Sequence, residues 1–206
     1  DDMEALVETL LLLARTDKDV EKSYQGLTLF WVPTKSVGVK ITKLAKLGMR
    51  SMGSCAVHLE DVFVPDDLVM GETDRAWRML LPTLNNERMM VSAFCLGIID
   101  GVLEDALEYA QQRKAFNKVI GQFQAIQHMI ADIKMAQYQV ECMLTDCAWK
   151  ISNGRESLIE STALKIVASE QANKCADLGI QILGGMGYSA ETDMQRYWRD
   201  SRLWRI

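Results

Sequence analysis

Between residues 126 and 144, apolar side chains recur every three or four positions, which is the period of an amphipathic α-helix. An asparagine and a glycine follow, and Gly154 suits the left-handed residue that ends such a helix. Other helices must cover this apolar face, so the second part of the chain is predicted to be a helical bundle. The apolar positions are Ile126, Met129, Ile130, Ile133, Ala136, Val140, Met143 and Leu144.

Further helices are predicted on both sides of this segment. The run "DRAWRMLLPTLNNERMMVSAFCLGIIDGVLEDALEYAQQRK" reads as one helix that is bent at Pro82 or begins near it. After Gly154, the pattern Ser157-x-x-Glu160 is typical of a capping box at a helix start. A short last helix is predicted within "DMQRYWRDSRLWRI". The apolar face of the helix after Gly154 is predicted to include Ile159, Ala163, Ile166, Val167, Ile180 and Leu183.

Before residue 73 the sequence has the pattern of short β-strands. The run "GLTLFWVP" is rich in β-branched and aromatic residues and is closed by Pro33. In "VGVKITKL", apolar and other residues alternate, which predicts a half-buried strand, and "CAVHLEDVFVP" alternates as far as Pro65. The change of pattern predicts two domains, residues 1–72 and residues 73–206.

Composition excludes several classes of protein. The net charge of −5 and the pI near 5.2 argue against nucleic-acid binding, which requires a basic face. No apolar run is long enough to span a membrane. The five cysteines include no CxxC pair, so no metal site is predicted, and a reducing compartment is favoured. Because the chain lacks an initiator methionine and stops abruptly, we expect a segment of a longer protein, so the absence of a targeting signal in it is uninformative.

The stretch "QILGGMGYSAE" contains the lettering G-x-G-x-x-A of a dinucleotide-binding loop, in Gly185, Gly187 and Ala190. Such a loop must follow a β-strand and open the helix of a βαβ unit. Here the preceding residues continue a helix without a break. The spacing of Gly184, Gly185 and Gly187 therefore predicts a turn that stops a helix.

Glu87 is the first candidate for chemistry, because it shares a helix face with the apolar residues Met90, Val91, Phe94 and Ile98. An apolar environment favours the neutral form of a carboxyl, which suits a general base that works near neutral pH. The alternative is that Glu87 lies at the edge of the apolar face and pairs with a surface cation.

Basic residues form a second candidate site. Arg88 follows Glu87, and Arg113, Lys114 and Lys118 cluster near the end of a predicted helix. Cations at this position complement the helix dipole, which is a purely structural explanation. Alternatively, the cluster binds phosphate, with Arg113 offering a planar fork of donors. Spacing alone leaves both explanations open.

Taken together, three motifs resemble those of the acyl-CoA dehydrogenase family, over essentially the whole chain. The segment "LGMRSMGSCAVHLEDVFVP" is similar to the family's β-domain signature, a G-x-R turn followed by F/L-E-D-V-x-V-P. "QQRKAFNKVIGQFQ" is similar to E-R-x-x-F-G-x-x-I-x-x-F-Q, and "QILGGMGYSAETDMQRYWRDSRL" to Q-x-x-G-G-x-G-Y followed by R-x-x-R-D-x-R. The resemblance implies part of an antiparallel β-barrel middle domain in residues 1–72, followed by a truncated, antiparallel four-helix-bundle domain in residues 73–206.

The resemblance also implies an activity. Family members are FAD-dependent enzymes of fatty acid metabolism that oxidise an acyl-CoA thioester to the 2,3-enoyl-CoA. A glutamate removes the α-proton, the β-hydride passes to flavin N5, and electrons leave to an electron-transferring flavoprotein. The alternatives are an acyl-CoA oxidase or an enoyl-CoA reductase of the same fold, or a non-catalytic interaction module. A homo-oligomer, a dimer or tetramer with FAD at the subunit interface, is implied, in the bacterial cytoplasm or the mitochondrial matrix.

Site residues carried over from the family divide into three groups. Glu87 matches the base of a minority of members, including isovaleryl-CoA and long-chain enzymes, whereas most carry it about two residues beyond Ile206. Asn85, where some relatives have a substrate-contacting Asp, and Arg88 are the candidate substrate-binding residues. Asn117 replaces the usual glycine of the F-G pair, which affects the turn beside the flavin. The residues implied to contact FAD are Arg113, Lys114, Ala115, Phe123, Gln124, Gln181, Ile182, Leu183, Gly184 and Gly185.

Overall fold

The structure is a computed structural model that describes residues 8–206. The chain divides into two compact units. The first contains the residues up to Lys46 together with Arg50–Leu84, and the second contains Leu47–Met49 together with Asn85–Ile206. Each unit is described by itself below.

The first unit is built on antiparallel β-structure, as predicted. Strands β1 (Thr9–Arg15), β2 (Leu27–Pro33) and β5 (Val69–Met70) form a sheet in the order β1-β2-β5. Strands β3 (Val39–Lys43) and β4 (Cys55–Leu59) form a separate antiparallel pair. In the first sheet Leu11 lies opposite Trp31, and in the pair Val39 lies opposite Leu59.

Two details of the strand predictions are wrong. The strand that begins at Cys55 ends at Leu59 rather than running to Pro65, because Asp61 adopts a left-handed φ of +49° that an extended ladder cannot accommodate. Strand β3 is not half-buried, since Ile41 is exposed and the adjoining Val37 is exposed as well. A two-stranded ribbon has no third strand or second layer of its own to cover either face.

Buried side chains of the first unit lie on β2 and at the start of the following helix, namely Thr28, Leu29, Val32 and Ala76. Thr28 is polar, and its buried hydroxyl is satisfied by two partners. It lies 2.7 Å from the Thr16 hydroxyl and accepts the backbone N–H of Asp74 at 2.8 Å. These bonds fix the chain just before it enters the first helix.

Five α-helices follow, and all long helices lie where the periodicity predicts them. They are α1 (Ala76–Gln112), α2 (Gln124–Ser152), α3 (Leu158–Leu183), α4 (Gly185–Tyr188) and α5 (Met194–Ser201). Helix α1 is continuous through Pro82 rather than beginning at it. Helix α2 ends as predicted, with Gly154 at φ +65° and the N–H of Arg155 donating to the carbonyl of Lys150 at 2.9 Å.

The long helices are antiparallel, as their short connections predict. Gln137 on α2 donates to Asp100 on α1 at 2.5 Å, and these residues are equally far from the middle of the α1–α2 connection. Lys150 on α2 and Glu160 on α3 are likewise equally far from the middle of the α2–α3 connection, and they form an ion pair at 2.8 Å. Pairs disposed in this way occur only between helices that run in opposite directions.

The bundle core contains the predicted face of α2 but only part of the face predicted for α3. Leu183 is in the core, and Val167 and Ile180 pack against it. On α3, Ile159 and Ile166 are exposed. The buried face there consists mainly of small residues, which let neighbouring helices approach closely. Core residues are Cys95, Ile99, Val102, Leu103 and Ala106 on α1, Ile133, Ala136, Val140 and Cys147 on α2, Leu164, Ala168, Ala172, Cys175, Ala176, Ile182 and Leu183 on α3, and Met194 on α5.

The capping box at the start of α3 is wrong in its chemistry although right in its position. Ser157 is the residue before the first helical residue, but its side chain makes no capping hydrogen bond. Glu160 turns to Lys150 instead, and this bond holds the pKa of the Glu160 carboxyl below its ordinary value. A charged partner at 2.8 Å therefore replaces the backbone N–H that a capping box would use.

Candidate functional site

The predicted phosphate-binding segment is a tight hairpin between α1 and α2. Strands β6 (Lys114–Ala115) and β7 (Lys118–Val119) pair across a two-residue turn. Both turn residues, Phe116 and Asn117, have positive φ values of +51° and +64°. Asparagine tolerates this left-handed conformation better than other side chains do, so the turn forms without the family's glycine.

Cations and aromatic rings are combined on this hairpin. Arg113 and Lys114 are exposed, and no side-chain hydrogen bond or ion pair engages the Arg113 guanidinium within residues 8–206. The Lys118 ammonium lies 4.1 Å from the centre of the Phe123 ring. Phe116, almost fully exposed, meets Phe123 edge-on with ring centres 6.1 Å apart. The hairpin thus presents an unpaired planar cation near two aromatic rings that contact each other, which suits a ligand with phosphate and flat ring groups.

The stretch "QILGGMGYSAE" forms a helix stop followed by a short helix, as the spacing predicts. Gly184 ends α3 with φ +60° and ψ −135°, a conformation that glycine adopts freely, and its N–H donates to the Ile180 carbonyl at 2.8 Å. Gly187 is buried, and a Cβ there would lie 2.9 Å from backbone atoms of Ile180. At Gly185 a Cβ would meet nothing within 4 Å. Gly184 and Gly187 therefore serve the fold, while Gly185 leaves an open surface.

The antiparallel topology brings the two predicted FAD-contacting segments to the same end of the bundle. Helix α1 ends at Gln112, α2 begins at Gln124 and α3 ends at Leu183, so the hairpin and the glycine turn share that end. Within the glycine segment Gln181 is exposed, whereas Ile182 and Leu183 are buried in the bundle core. Any contact of these two core residues with a ligand is consequently confined to their backbone.

Glu87 lies on the first turn of the part of α1 that belongs to the helical unit, which begins at Asn85. It is exposed, and Met90 and Phe94 on the same face are each more than half exposed. The apolar surroundings predicted for this carboxylate are thus present as neighbours along the helix but do not bury it.

The ring of Phe94 stacks on that of Trp204, with centres 5.8 Å apart. The indole nitrogen of Trp204 is buried without a hydrogen-bond partner among the described residues.

Asn85 and Arg88 interact with each other. The Arg88 guanidinium donates to the Asn85 amide oxygen at 2.5 Å, and the Arg88 backbone carbonyl accepts the hydroxyl of Ser92 at 2.7 Å. Arg88 is half-buried, so its orientation is set by this helix rather than by solvent. The pair flanks Glu87 in the sequence, two residues before it and one residue after it.

One chain does not bring Glu87 and the hairpin together. The 25 positions from Glu87 to Gln112 correspond to about 38 Å along an α-helix. The candidate base and the candidate phosphate-binding cation are therefore at opposite ends of the bundle, and they cannot contact the same small group within one chain.

The sequence did not predict the structural role of two charged residues on α5, Arg199 and Asp200. Arg199 donates to the carbonyl of Leu47 at 3.0 Å, and Asp200 accepts the backbone N–H of Met49 at 2.5 Å. Between them, a Cβ on Gly48 would lie 2.3 Å from the Arg199 carbonyl. The R-D pair of "QRYWRDSR" thus holds the "LGM" segment in place. Both segments belong to family motifs, but only the structure shows that they meet.

No helix of residues 8–206 is long and apolar enough to cross a membrane. Across the same residues, no three His, Cys, Asp or Glu side chains are grouped closely enough to hold a metal ion.

An antiparallel β region followed by an antiparallel helical bundle, with a glycine turn and a basic hairpin at one bundle end, defines the architecture. Residues 74–206 match the family described as acyl-CoA dehydrogenase, C-terminal domain. The chain belongs to the acyl-CoA dehydrogenase family.

Two relatives illustrate the range of the family. The caffeyl-CoA reductase–Etf complex subunit CarC of Acetobacterium woodii is 32% identical over 99% of this chain and 54% of its own length. The probable acyl-CoA dehydrogenase YdiO of Escherichia coli is 35% identical over 96% of this chain and 51% of its own length. The chain thus spans about half the length of these relatives.

Solved structures agree with this assignment. Butyryl-CoA dehydrogenase from Megasphaera elsdenii superposes with a TM-score of 0.91 at 30% identity, covering 98% of this chain and 52% of that one. PigA, solved as an FAD complex, has a TM-score of 0.92 at 24% identity over 98% of this chain and 52% of its own, which shows the shared fold.

Proposed function

We propose that the intact protein catalyses the FAD-dependent α,β-dehydrogenation of an acyl-CoA thioester to the 2,3-enoyl-CoA. The observation that carries this proposal is the position of Glu87, an exposed carboxylate on a helix face whose neighbours Met90 and Phe94 are apolar and open to a substrate. Membership of the acyl-CoA dehydrogenase family supplies the reaction class. When bound, FAD would supply the hydride acceptor of this reaction at its N5 atom.

Glu87 would act as the base that removes the α-proton of the thioester. The apolar side chains beside it would exclude water once an acyl chain covers them, and a desolvated carboxylate is a stronger base. Asn85 and Arg88 would orient the substrate next to this carboxylate. Their mutual hydrogen bond holds the Arg88 cation ready without consuming its remaining donors.

The residues present fit FAD, as judged from the basic hairpin and the glycine turn. The unengaged Arg113 guanidinium suits a diphosphate, which it can bind with two parallel N–H bonds, and Lys114 and Ala115 would lie alongside it. Phe123 and Gln124 would complete that contact. Gln181 to Gly185 would meet the adenosine–diphosphate end, where the open surface at Gly185 allows close backbone approach. The separation of about 38 Å along α1 between Glu87 and Gln112 supports FAD contacts that are shared between subunits.

The same proposal includes the domains, the oligomeric state, the electron acceptor and the cellular compartment of the intact protein. Residues 1–72 would belong to the family's middle β-domain and residues 73–206 to its C-terminal domain. The intact protein would be a homodimer or homotetramer with FAD at a subunit interface. It would pass electrons to an electron-transferring flavoprotein in fatty acid metabolism, in the bacterial cytoplasm or the mitochondrial matrix.

A spectroscopic experiment tests the reaction. The intact protein is purified, its flavin absorbance is recorded, and acyl-CoA thioesters of graded chain length are added without oxygen. The proposal expects a yellow protein whose absorbance bleaches with at least one saturated thioester. A colourless protein that takes up no FAD would contradict it and favour a non-catalytic interaction module.

A second candidate is reduction of an enoyl-CoA, favoured by the likeness to a caffeyl-CoA reductase complex subunit. The same base would then return a proton to the α-carbon. The two directions are separated by adding enoyl-CoA to chemically reduced protein, because a reductase re-oxidises rapidly with it but bleaches slowly with the saturated thioester. Oxygen consumption during turnover would identify an acyl-CoA oxidase instead.

A further inference from the structure

Helix α1 changes from polar to apolar along the part that carries Glu87. Asn85 and Arg88, which flank Glu87 in the sequence, are polar and are bonded to each other. Met90 and Phe94 follow in the direction of the hairpin, and both are apolar and more than half exposed. An acyl-CoA thioester has the same two parts, a polar thioester group and an apolar chain. This part of α1 therefore suits a substrate whose acyl chain runs from Glu87 towards Phe94.

The ring of Phe94 is held in place by a second ring. It stacks on Trp204, with the ring planes inclined by 21°. Trp204 itself packs against the bundle core. The next residue, Arg205, is fixed to α3 by an ion pair with Glu170 at 2.8 Å and by a hydrogen bond to the Asn173 amide oxygen at 3.1 Å. Phe94 thus lies against an anchored ring, and displacing it requires the loss of this stacking contact.

Beyond Phe94 the surface of α1 is open again. Gly97 lies three residues after Phe94 and seven after Met90, so it is on the same side of the helix. It is exposed, and a Cβ there would meet nothing within 4 Å. At Gly101, one turn further, a Cβ would lie 2.7 Å from the Tyr197 hydroxyl, which closes the surface. Phe94 is therefore the large side chain between two open stretches, one at Met90 and one at Gly97.

We propose that Phe94, positioned by Trp204, sets the maximum length of the acyl chain that the intact protein accepts. This inference rests on the proposed function, in which Glu87 removes the α-proton of the thioester. Seven residues separate Glu87 from Phe94, which corresponds to about 10.5 Å along the helix. An extended chain advances about 1.2 Å per bond, a third of the length that one extended residue spans.

These two lengths give the expected limit. About nine bonds beyond the α-carbon would bring a straight acyl chain level with the Cα of Phe94. Helical side chains lean towards the start of their helix, so the ring meets the chain somewhat earlier, at about ten carbons. Without the ring, the chain could continue over Gly97 for about one more helical turn, which is about four further bonds.

Flavin bleaching with straight-chain thioesters tests the proposal in the intact, FAD-loaded protein. The unchanged protein is expected to have a kcat/KM for tetradecanoyl-CoA at least about tenfold below that for octanoyl-CoA, because one misfitting methylene already changes this constant by about 10–200-fold. Phe94→Ala should raise the tetradecanoyl-to-octanoyl ratio of kcat/KM at least about tenfold, and Phe94→Leu should give an intermediate ratio.

Further variants separate the length limit from other effects. Adding Gly97→Leu to Phe94→Ala should restore the limit, because the new side chain fills the stretch that the smaller residue opened. Trp204→Leu cannot stack on Phe94 and should relax the limit in part; an unchanged limit would contradict a positioning role for Trp204. In the Glu87→Gln background, calorimetric titration should show the same length preference in Kd, without any turnover.

The matched control is Phe63→Ala, because Phe63 is an exposed phenylalanine in the first unit, outside α1. It should keep the length profile of the unchanged protein, and circular dichroism should show native helix content in every variant. The role of Phe94 alone is overturned if octanoyl-CoA bleaches the flavin normally but Phe94→Ala keeps the limit, or if the unchanged protein accepts both chains equally. A protein that bleaches with no thioester overturns the proposed function and this inference together.

Discussion

Replacing Gly187 by alanine tests whether the glycine motif is a structural turn. A Cβ at this buried position would lie 2.9 Å from the Cα and the carbonyl oxygen of Ile180 and 3.0 Å from the Cβ of Leu183. These are backbone atoms and a Cβ within the end of α3, so they cannot rotate away as a flexible side chain could. Overpacking of this kind costs about 1–3 kcal/mol.

The assay is thermal unfolding followed by far-UV circular dichroism, which reports mainly the helical unit. For a chain of this size, each 1 kcal/mol corresponds to roughly 2–4 °C, so Gly187→Ala should lower the midpoint by roughly 2–12 °C. The matched control is Gly185→Ala, because a Cβ there meets nothing within 4 Å. Its unfolding free energy should stay within about 0.5 kcal/mol of the unchanged protein.

FAD binding should distinguish the two variants in the opposite way, because Gly185→Ala is the variant expected to weaken it directly. If the open surface at Gly185 is where FAD approaches the backbone, Gly185→Ala should lose FAD on dilution faster than the unchanged protein while remaining equally stable. A Gly187→Ala protein that unfolds at the same temperature as its parent would refute the close packing that explains this motif.

Three other predictions concern the core, the thiols and acid stability. Leu164 is buried, so Leu164→Ala should reduce the unfolding free energy by about 2–5 kcal/mol. Ile166 is exposed, so Ile166→Ala should change it by less than about 0.5 kcal/mol. Equal effects of the two variants in denaturant titrations would contradict the observed core face of α3. Maleimide should modify the exposed Cys55 and Cys142 of the folded protein rapidly, as mass spectrometry can verify. The buried thiols of Cys95, Cys147 and Cys175 should react only after denaturant is added. Burial raises the pKa of Cys95 and of Cys175 to about 12, so little of the reactive thiolate is present. The bond to Lys150 lowers the pKa of Glu160 in the folded protein from its ordinary value of 4.5. The stabilisation by this ion pair is therefore present above pH 4.5 and is lost as the pH falls through the lowered pKa. Glu160→Gln should flatten the decline of the melting temperature in acid, and an unchanged decline would show that the ion pair contributes nothing.

The sequence predicted α2 correctly because its large apolar residues and its ending glycine give one consistent signal. It placed only the end of the core face of α3 correctly, because the rest of that face uses Ala168, Ala172 and Ala176, whose small side chains carry a weak hydrophobic signal. The exposed Ile159 and Ile166 dominate the pattern instead. Hydrophobic periodicity detects large side chains, whereas close helix packing selects small ones.

The sequence predicted which helix or turn carries each candidate site residue. It did not predict how exposed the residue is or which distant residues lie near it. The pattern placed Glu87 on an apolar helix face, yet only the structure shows that this face is open. Likewise, the lettering around Gly185 pointed to a nucleotide, but helix direction decides that the glycine turn and the Arg113 hairpin share one bundle end. The bonds from Arg199 and Asp200 to residues 47–49 join segments about 150 positions apart, and local patterns carry no information about such pairs.

The role of Glu87 is the central claim, and flavin bleaching tests it most directly. Removing a general base typically costs about 10²–10⁴-fold in rate. In the intact, FAD-loaded protein, Glu87→Gln should retain the flavin spectrum but bleach at least about 100-fold more slowly with the preferred acyl-CoA. Glu104→Gln, which alters another exposed carboxylate on α1, should bleach at the normal rate. Normal bleaching by Glu87→Gln would contradict the account and place the base elsewhere, first of all two residues beyond Ile206.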